Sequence, residues 1–128
     1  MEERQLKYNE WFFQSDYDLD TAKTMLNTGR NVYCIFMCHL SLEKSLKALF
    51  IKQHNEFPPK IHNLQYFIDR INLEISDDWS SFLVNMDNLS VITRYPEDLR
   101  KMIVDLSKEK TINIYEQTEK IQQWLKQQ

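Results

Sequence analysis

Glycine occurs once in this chain of 128 residues and proline three times. So few breakers leave little room for the tight turns that join the strands of sandwiches and barrels, which disfavours an all-β fold. No apolar run reaches the roughly 18 residues that would suggest a membrane-spanning helix, so no membrane partner is expected. The opening Met1-Glu2-Glu3-Arg4-Gln5 carries no apolar signal core. An excess of positive charge is missing too. The formal net charge is −3, so no global basic field holds nucleic acid, and any polyanion site must be a local patch. Cysteine is limited to Cys34 and Cys38. Two positions four apart on one helix do not usually close a disulfide, and reduced thiols point to a cytoplasmic protein.

What the chain does contain is ordinary globular material, with 42% hydrophobic and 27% charged residues. Its length fits one domain over residues 1–128, by the usual span of roughly 100–200 residues each. From about Arg4 to Asn27, Tyr8, Trp11, Phe12, Ser15, Leu19, Ala22 and Leu26 step by three and four, as one helical face does. Gly29 then supplies a C-terminal stop. A second helix is expected from Asn31 to His54 on the stripe Ile35, Cys38, Leu42, Leu46 and Leu49, ending before Phe57-Pro58-Pro59. A short third runs from Asn63, its N-cap, to Ile71. A fourth starts at Ser76-Asp77-Asp78 and fades near Thr93, ahead of Arg94-Tyr95-Pro96. Asp98 to Leu106 reads as loop with a helical turn, and Ser107 caps a last helix running to about Lys126. The expectation is all-α: an antiparallel bundle of about five helices, since short connections imply antiparallel neighbours. Its core is expected to hold Trp11, Leu19, Leu42, Leu46, Leu49, Phe67 and Phe82.

Four groups of residues are candidates for chemistry. Cys34, Cys38 and His39 fit no zinc pattern, and Cys38 continues an apolar stripe, so no metal is expected. His39, Glu43 and Lys47 recur every four residues and stack along one helical face. The plain reading is an ion pair of small worth, and the functional one is a polar wall of a groove. Arg94-Tyr95-Pro96 either stops a helix or aims an arginine fork at an anion. His62 either joins the capping region before Asn63 or faces an anionic ligand as a group that changes charge near neutral pH. The lone Gly29 makes no phosphate-cradling loop, no His-Glu-x-x-His is present, and no nucleophile–base pair stands out.

These same residues carry a resemblance. Trp11 with Asp18-Leu19 and Ala22 resembles the first-helix pattern of HEPN proteins. Glu43-Lys44-Ser45-Leu46-Lys47-Ala48-Leu49 is similar to their second-helix signature. His62-Asn63-Leu64 resembles the opening of their third helix, Arg94-Tyr95-Pro96 an element after the fourth, and Trp124 the end of the last. The resemblance covers nearly the whole chain in order. It implies a helical bundle that commonly forms a homodimer, and a name recording nucleotide binding in prokaryotes and higher eukaryotes. It also implies a nucleotidyltransferase partner, sometimes in a toxin–antitoxin pair, and some members cleave RNA. The resemblance further implies that the cleaving members carry an Arg followed about five residues later by a His near the start of the last helix. Here the last histidine is His62, so Arg70, Arg94 and Arg100 have none after them, and Arg30 precedes His39 by nine positions in the wrong helix. The expectation is a binding module without catalytic residues and without a cofactor. Lys44, Lys47, His62, Arg94 and Tyr95 would line an anion or nucleotide pocket, supported by His39 and Glu43. A divergent ribonuclease and a purely structural adaptor are the alternatives.

Overall fold

A computed structural model describes residues 2–128. Six helices follow one another: α1 (Glu2–Asn27), α2 (Asn31–His54), α3 (Leu64–Arg70), α4 (Asp77–Ile92), α5 (Pro96–Asp105) and α6 (Lys108–Leu125). The expected ends of the first four fall where expected because each has a chemical stop or start. Gly29 takes φ 78°. Its N–H reaches Leu26 O at 3.2 Å and the next N–H reaches Met25 O at 2.8 Å, the double bond of a left-handed helix terminus. A Cβ at Gly29 would meet nothing within 4 Å, so the backbone angle alone calls for glycine. Asn63, Ser76 and Ser107 each accept a backbone N–H three residues on, from Tyr66, Trp79 and Lys110.

The sixth helix is the departure from the expected count of about five. Of the stretch from Asp98 to Leu106, expected as loop with a helical turn, residues 98–105 belong to α5 and Leu106 is its C-cap. Pro96 stands in its first turn with Glu97 and Asp98, which favours helix initiation. The Pro that ends α4 therefore also begins α5. Its inward residues are Leu99 and Met102, with Leu106 packing just past its end.

α2 is the axis of the bundle and packs against all five others. From Ser41 to Ile51 every residue but Lys44 is buried, so this stretch is covered all round rather than on one stripe. α1 lies antiparallel to it, with Ser15 against Ser41 and Ser45, and Trp11 against Lys47. α6 returns alongside α2 in the same direction. Its Tyr115 lies near Cys38, and just past its end Gln128 O accepts from Lys52 Nζ at 3.0 Å. Ser15 Oγ ties the three together: it donates to Ser41 O at 2.8 Å, lies 2.6 Å from Ser45 Oγ, and accepts from Gln122 Nε2 at 3.1 Å. Such a satisfied polar knot fixes the register of an otherwise apolar core. Leu19, Leu42, Leu46, Leu49 and Phe67 are buried as expected, whereas Trp11 and Phe82 are only partly covered. Among the described residues, no helix is long and apolar enough to cross a membrane.

Candidate functional site

The every-fourth stripe of α2 is the best-built polar feature of the molecule. His39, Glu43 and Lys47 are 3%, 3% and 6% exposed. Each has found a partner that burial demands. His39 Nε2 donates to Asp87 Oδ1 of α4 at 2.9 Å. The same carboxylate accepts the free N–H groups that open α3, from Leu64 at 2.8 Å and Gln65 at 3.3 Å. Asp87 thus joins α2, α3 and α4 and places negative charge at a helix N-terminus. One turn on, Lys47 Nζ donates to Glu43 Oε2 at 3.0 Å. Its ammonium also sits 5.5 Å from the Trp11 ring centre and 5.7 Å from that of Phe67, an aromatic clamp that replaces lost water.

His62 is the outer member of this chain of charges. Its side chain is 58% exposed, and Nδ1 donates to Glu43 Oε1 at 3.1 Å. A buried carboxylate therefore orients the imidazole and leaves Nε2 free of protein partners among the described residues. Lys44 points elsewhere. Its ammonium lies 2.8 Å from Asp18 Oδ2 of α1, a largely covered pair.

Arg94 and Tyr95 stand apart from all of these. They form the turn between α4 and α5 and are exposed. Arg94 N–H bonds Val91 O at 3.1 Å and Tyr95 N–H bonds Ile92 O at 3.2 Å, so the backbone of the turn is held. Among the described residues neither side chain has a hydrogen bond, ion pair or stacking partner. The preceding Thr93 lines a groove with Met37 of α2. Ten residues of α2 separate Met37 from Lys47, about 15 Å at 1.5 Å per residue. The seven residues singled out by sequence thus fall into three places: the buried stripe with His62, the Lys44–Asp18 pair, and the open turn.

Asp87 is the member that sequence reasoning missed. Its signal was an acid on the inward face of α4, among Leu83, Met86 and Ser90. The cysteines are free and buried. The Cys38 thiol hydrogen-bonds Cys34, which lowers Cys34 below its usual value, while that bond and burial hold Cys38 well above. Among the described residues, no three His, Cys, Asp or Glu side chains converge as metal ligands.

Residues 8–128 match the HEPN domain family model. The chain belongs to the HEPN domain family. Comparison with curated proteins and with solved structures gives no significant match.

Proposed function

We propose that this chain is a HEPN binding module that works as a homodimer beside a nucleotidyltransferase-type partner and takes a phosphate-bearing ligand, a nucleotide or an RNA segment, at the α4–α5 turn. The reading rests on one observation: Arg94 and Tyr95 are exposed, without a side-chain partner among the described residues, on a turn whose backbone N–H groups are bonded to Val91 O and Ile92 O. The turn presents the guanidinium to solvent, and its planar fork suits two phosphate oxygens. Tyr95 offers a face for a base to stack on. Lys44 and Lys47 are held by Asp18 and Glu43, so in this reading they shape the scaffold and add only distant charge. His62, held by Glu43, lies with the buried stripe and takes no part in this site. The test is calorimetric titration with ATP and with a short RNA. Arg94→Ala should weaken binding by about 1.5–3 kcal/mol, the worth of a hydrogen bond to a charged group. Arg94→Lys should restore part of it. No measurable heat at millimolar ligand would remove the phosphate site.

Membership in a family whose domains commonly dimerise supports the homodimer. Exposed apolar side chains such as Phe13, Tyr17 and Val104 supply unpartnered surface. Light scattering should give about twice the 15.6 kDa of the chain, and a monomer mass at high micromolar concentration would contradict it.

One observation favours a second reading, a divergent ribonuclease. Glu43 orients His62 much as a carboxylate orients a general base, with the outer nitrogen open to solvent. No histidine follows His62 in the chain, so such chemistry would not use the Arg–His arrangement of RNA-cleaving relatives. Loss of single-stranded RNA in the presence of the protein, abolished by His62→Ala, would promote this reading over the first.

A further inference from the structure

A hollow of about 480 Å³ opens between α1 and α6. Phe13, Tyr17 and Tyr115 give it three aromatic walls, and Asp16 and Asp20 stand among them. Phe13, Tyr17 and Asp20 follow one another at i, i+4 and i+7, so a single face of α1 presents them. That face is open: Phe13 is 64% exposed and Tyr17 68%. The two carboxylates differ. Asp16 Oδ1 accepts from Gln122 Nε2 at 2.7 Å and from Lys126 Nζ at 2.6 Å, which ties it to the end of α6. The Asp20 carboxylate has no hydrogen bond or ion pair among the described residues. No lysine or arginine lines the hollow, and Lys23, three residues beyond Asp20, neither lines it nor pairs with Asp20. The Tyr115 hydroxyl donates to Glu119 Oε2 at 3.3 Å, which brings a third carboxylate beside the hollow. Burial first, then the negative field of Glu119, with smaller contributions from Cys38 and Asp20, pushes that phenol up to about 12. The hollow is therefore aromatic, open and negative, and Asp20 in it is uncommitted.

We infer that this hollow receives an arginine side chain of a partner protein. The guanidinium stacks flat on an aromatic face, and its fork donates to the open Asp20 carboxylate. Charge complementarity selects this occupant. RNA would bring its phosphates against Asp16, Asp20 and Glu119. A second copy of this chain, docked two-fold through the hollow, would set those carboxylates against their own images. Val104, 79% exposed, remains for contact between copies. A lysine would keep the charge but lose the planar fork. This docking surface rests on the reading of the chain as a module for a protein partner, and not on the phosphate site, which needs the opposite charge.

The test is selection of displayed random peptides on the full chain, followed by anisotropy measurements with the enriched peptide. Enriched sequences should share an arginine at a fixed position, and replacing it by lysine should weaken binding by roughly tenfold. Tyr17→Ala removes a ring and no charge, whereas Asp20→Asn removes a charge and no bulk. Each should weaken binding by roughly tenfold. Both should fold, because the two side chains are exposed. Glu74→Gln, an equal loss of charge at an exposed site between α3 and α4, should leave binding unchanged to within roughly threefold. ATP binding should survive Tyr17→Ala, and peptide binding should survive Arg94→Ala, so either site can fail alone. Absence of enriched peptides, peptides that share no arginine, or equal binding of the lysine peptide would overturn the inference. So would a Glu74→Gln loss as large as that of Asp20→Asn, conversion of a homodimer to monomer by Tyr17→Ala, or displacement of the peptide by equimolar spermine or short RNA.

Discussion

The α2 stripe and the α4–α5 turn are both polar in sequence, and the fold treats them in opposite ways. In the stripe, His39, Glu43 and Lys47 are buried, and every charge is met by a fixed partner. In the turn, Arg94 and Tyr95 are exposed and the side chains meet nothing among the described residues. Burial is the cause of the difference. A charge withdrawn from water must find a counter-charge or donor inside the protein, so the stripe has been committed to joining α2, α3 and α4. A charge left in water keeps its options. Polarity at helical spacing therefore marks structure as readily as it marks a site, and what separates the two is whether the partners are already present.

The largest expected effect lies in the stripe. Lys47→Ala removes the cation between Trp11 and Phe67 and leaves Glu43 buried with only the partly exposed His62. Breaking a buried pair from one side costs about 3–5 kcal/mol. Chemical denaturation should show a loss of that order. Lys47→Met combined with Glu43→Leu should recover much of it, because removing both charges removes the desolvation problem. A loss below about 0.5 kcal/mol for the single variant, the usual scale of surface changes, would place the stripe with the open turn.

Next in size is Asp87→Ala. It strips the acceptor from His39 and from the two N–H groups that open α3. Leaving buried donors unmet costs about 1–3 kcal/mol. Hydrogen exchange should show the first amides of α3 opening sooner than those of α2. Equal acceleration everywhere would mean that Asp87 acts on the whole fold and does not anchor α3 in particular.

A third expectation uses pH. Burial, then the Glu119 carboxylate beside its hydroxyl, pushes Tyr115 from 10.0 up to about 12. The folded state therefore holds this proton more tightly than the unfolded chain does. The associated stability is fully present below pH 10.0 and is lost as pH rises toward about 12. Phenolate absorbance should show a tyrosine titrating late, and the Tyr115→Phe variant should lack it. A late phenol that persists in that variant would assign the effect to another residue.

Much of this was legible in the sequence, for identifiable reasons. Helices α1 to α4 and α6 announced themselves by apolar spacing and by caps: Gly29, Asn63, Ser76 and Ser107. α5 was obscured because Pro96 reads as a stop for α4, although the same residue type favours the first turn of a helix. Trp11 and Phe82 were expected deep in the core. They are only partly covered, and Trp11 has its ring over the Lys47 ammonium. The α2 stripe was visible as a period, but its partners were not. Asp87 is 44 positions from Glu43 and 48 from His39 in the chain, and only packing brings it to the start of α3. The same holds for the hollow, where Phe13 and Tyr115 come together through the docking of α6 on α1.

The smallest expected change in stability is the sharpest test of the comparison. Arg94 has no ion pair and no stacking partner among the described residues, and the backbone of its turn is held by bonds from Arg94 and Tyr95 N–H groups that a side-chain change does not remove. Arg94→Ala should therefore alter stability by no more than about 0.5 kcal/mol. Thermal melts of the variant and the wild type should overlay, and the helical spectrum should be unchanged. With the phosphate site present, the same variant should lose ATP affinity. A clear drop in melting temperature would instead show that the guanidinium holds the α4–α5 turn together. It would then be a structural group like Lys47, and the distinction between a committed stripe and an open turn would fail.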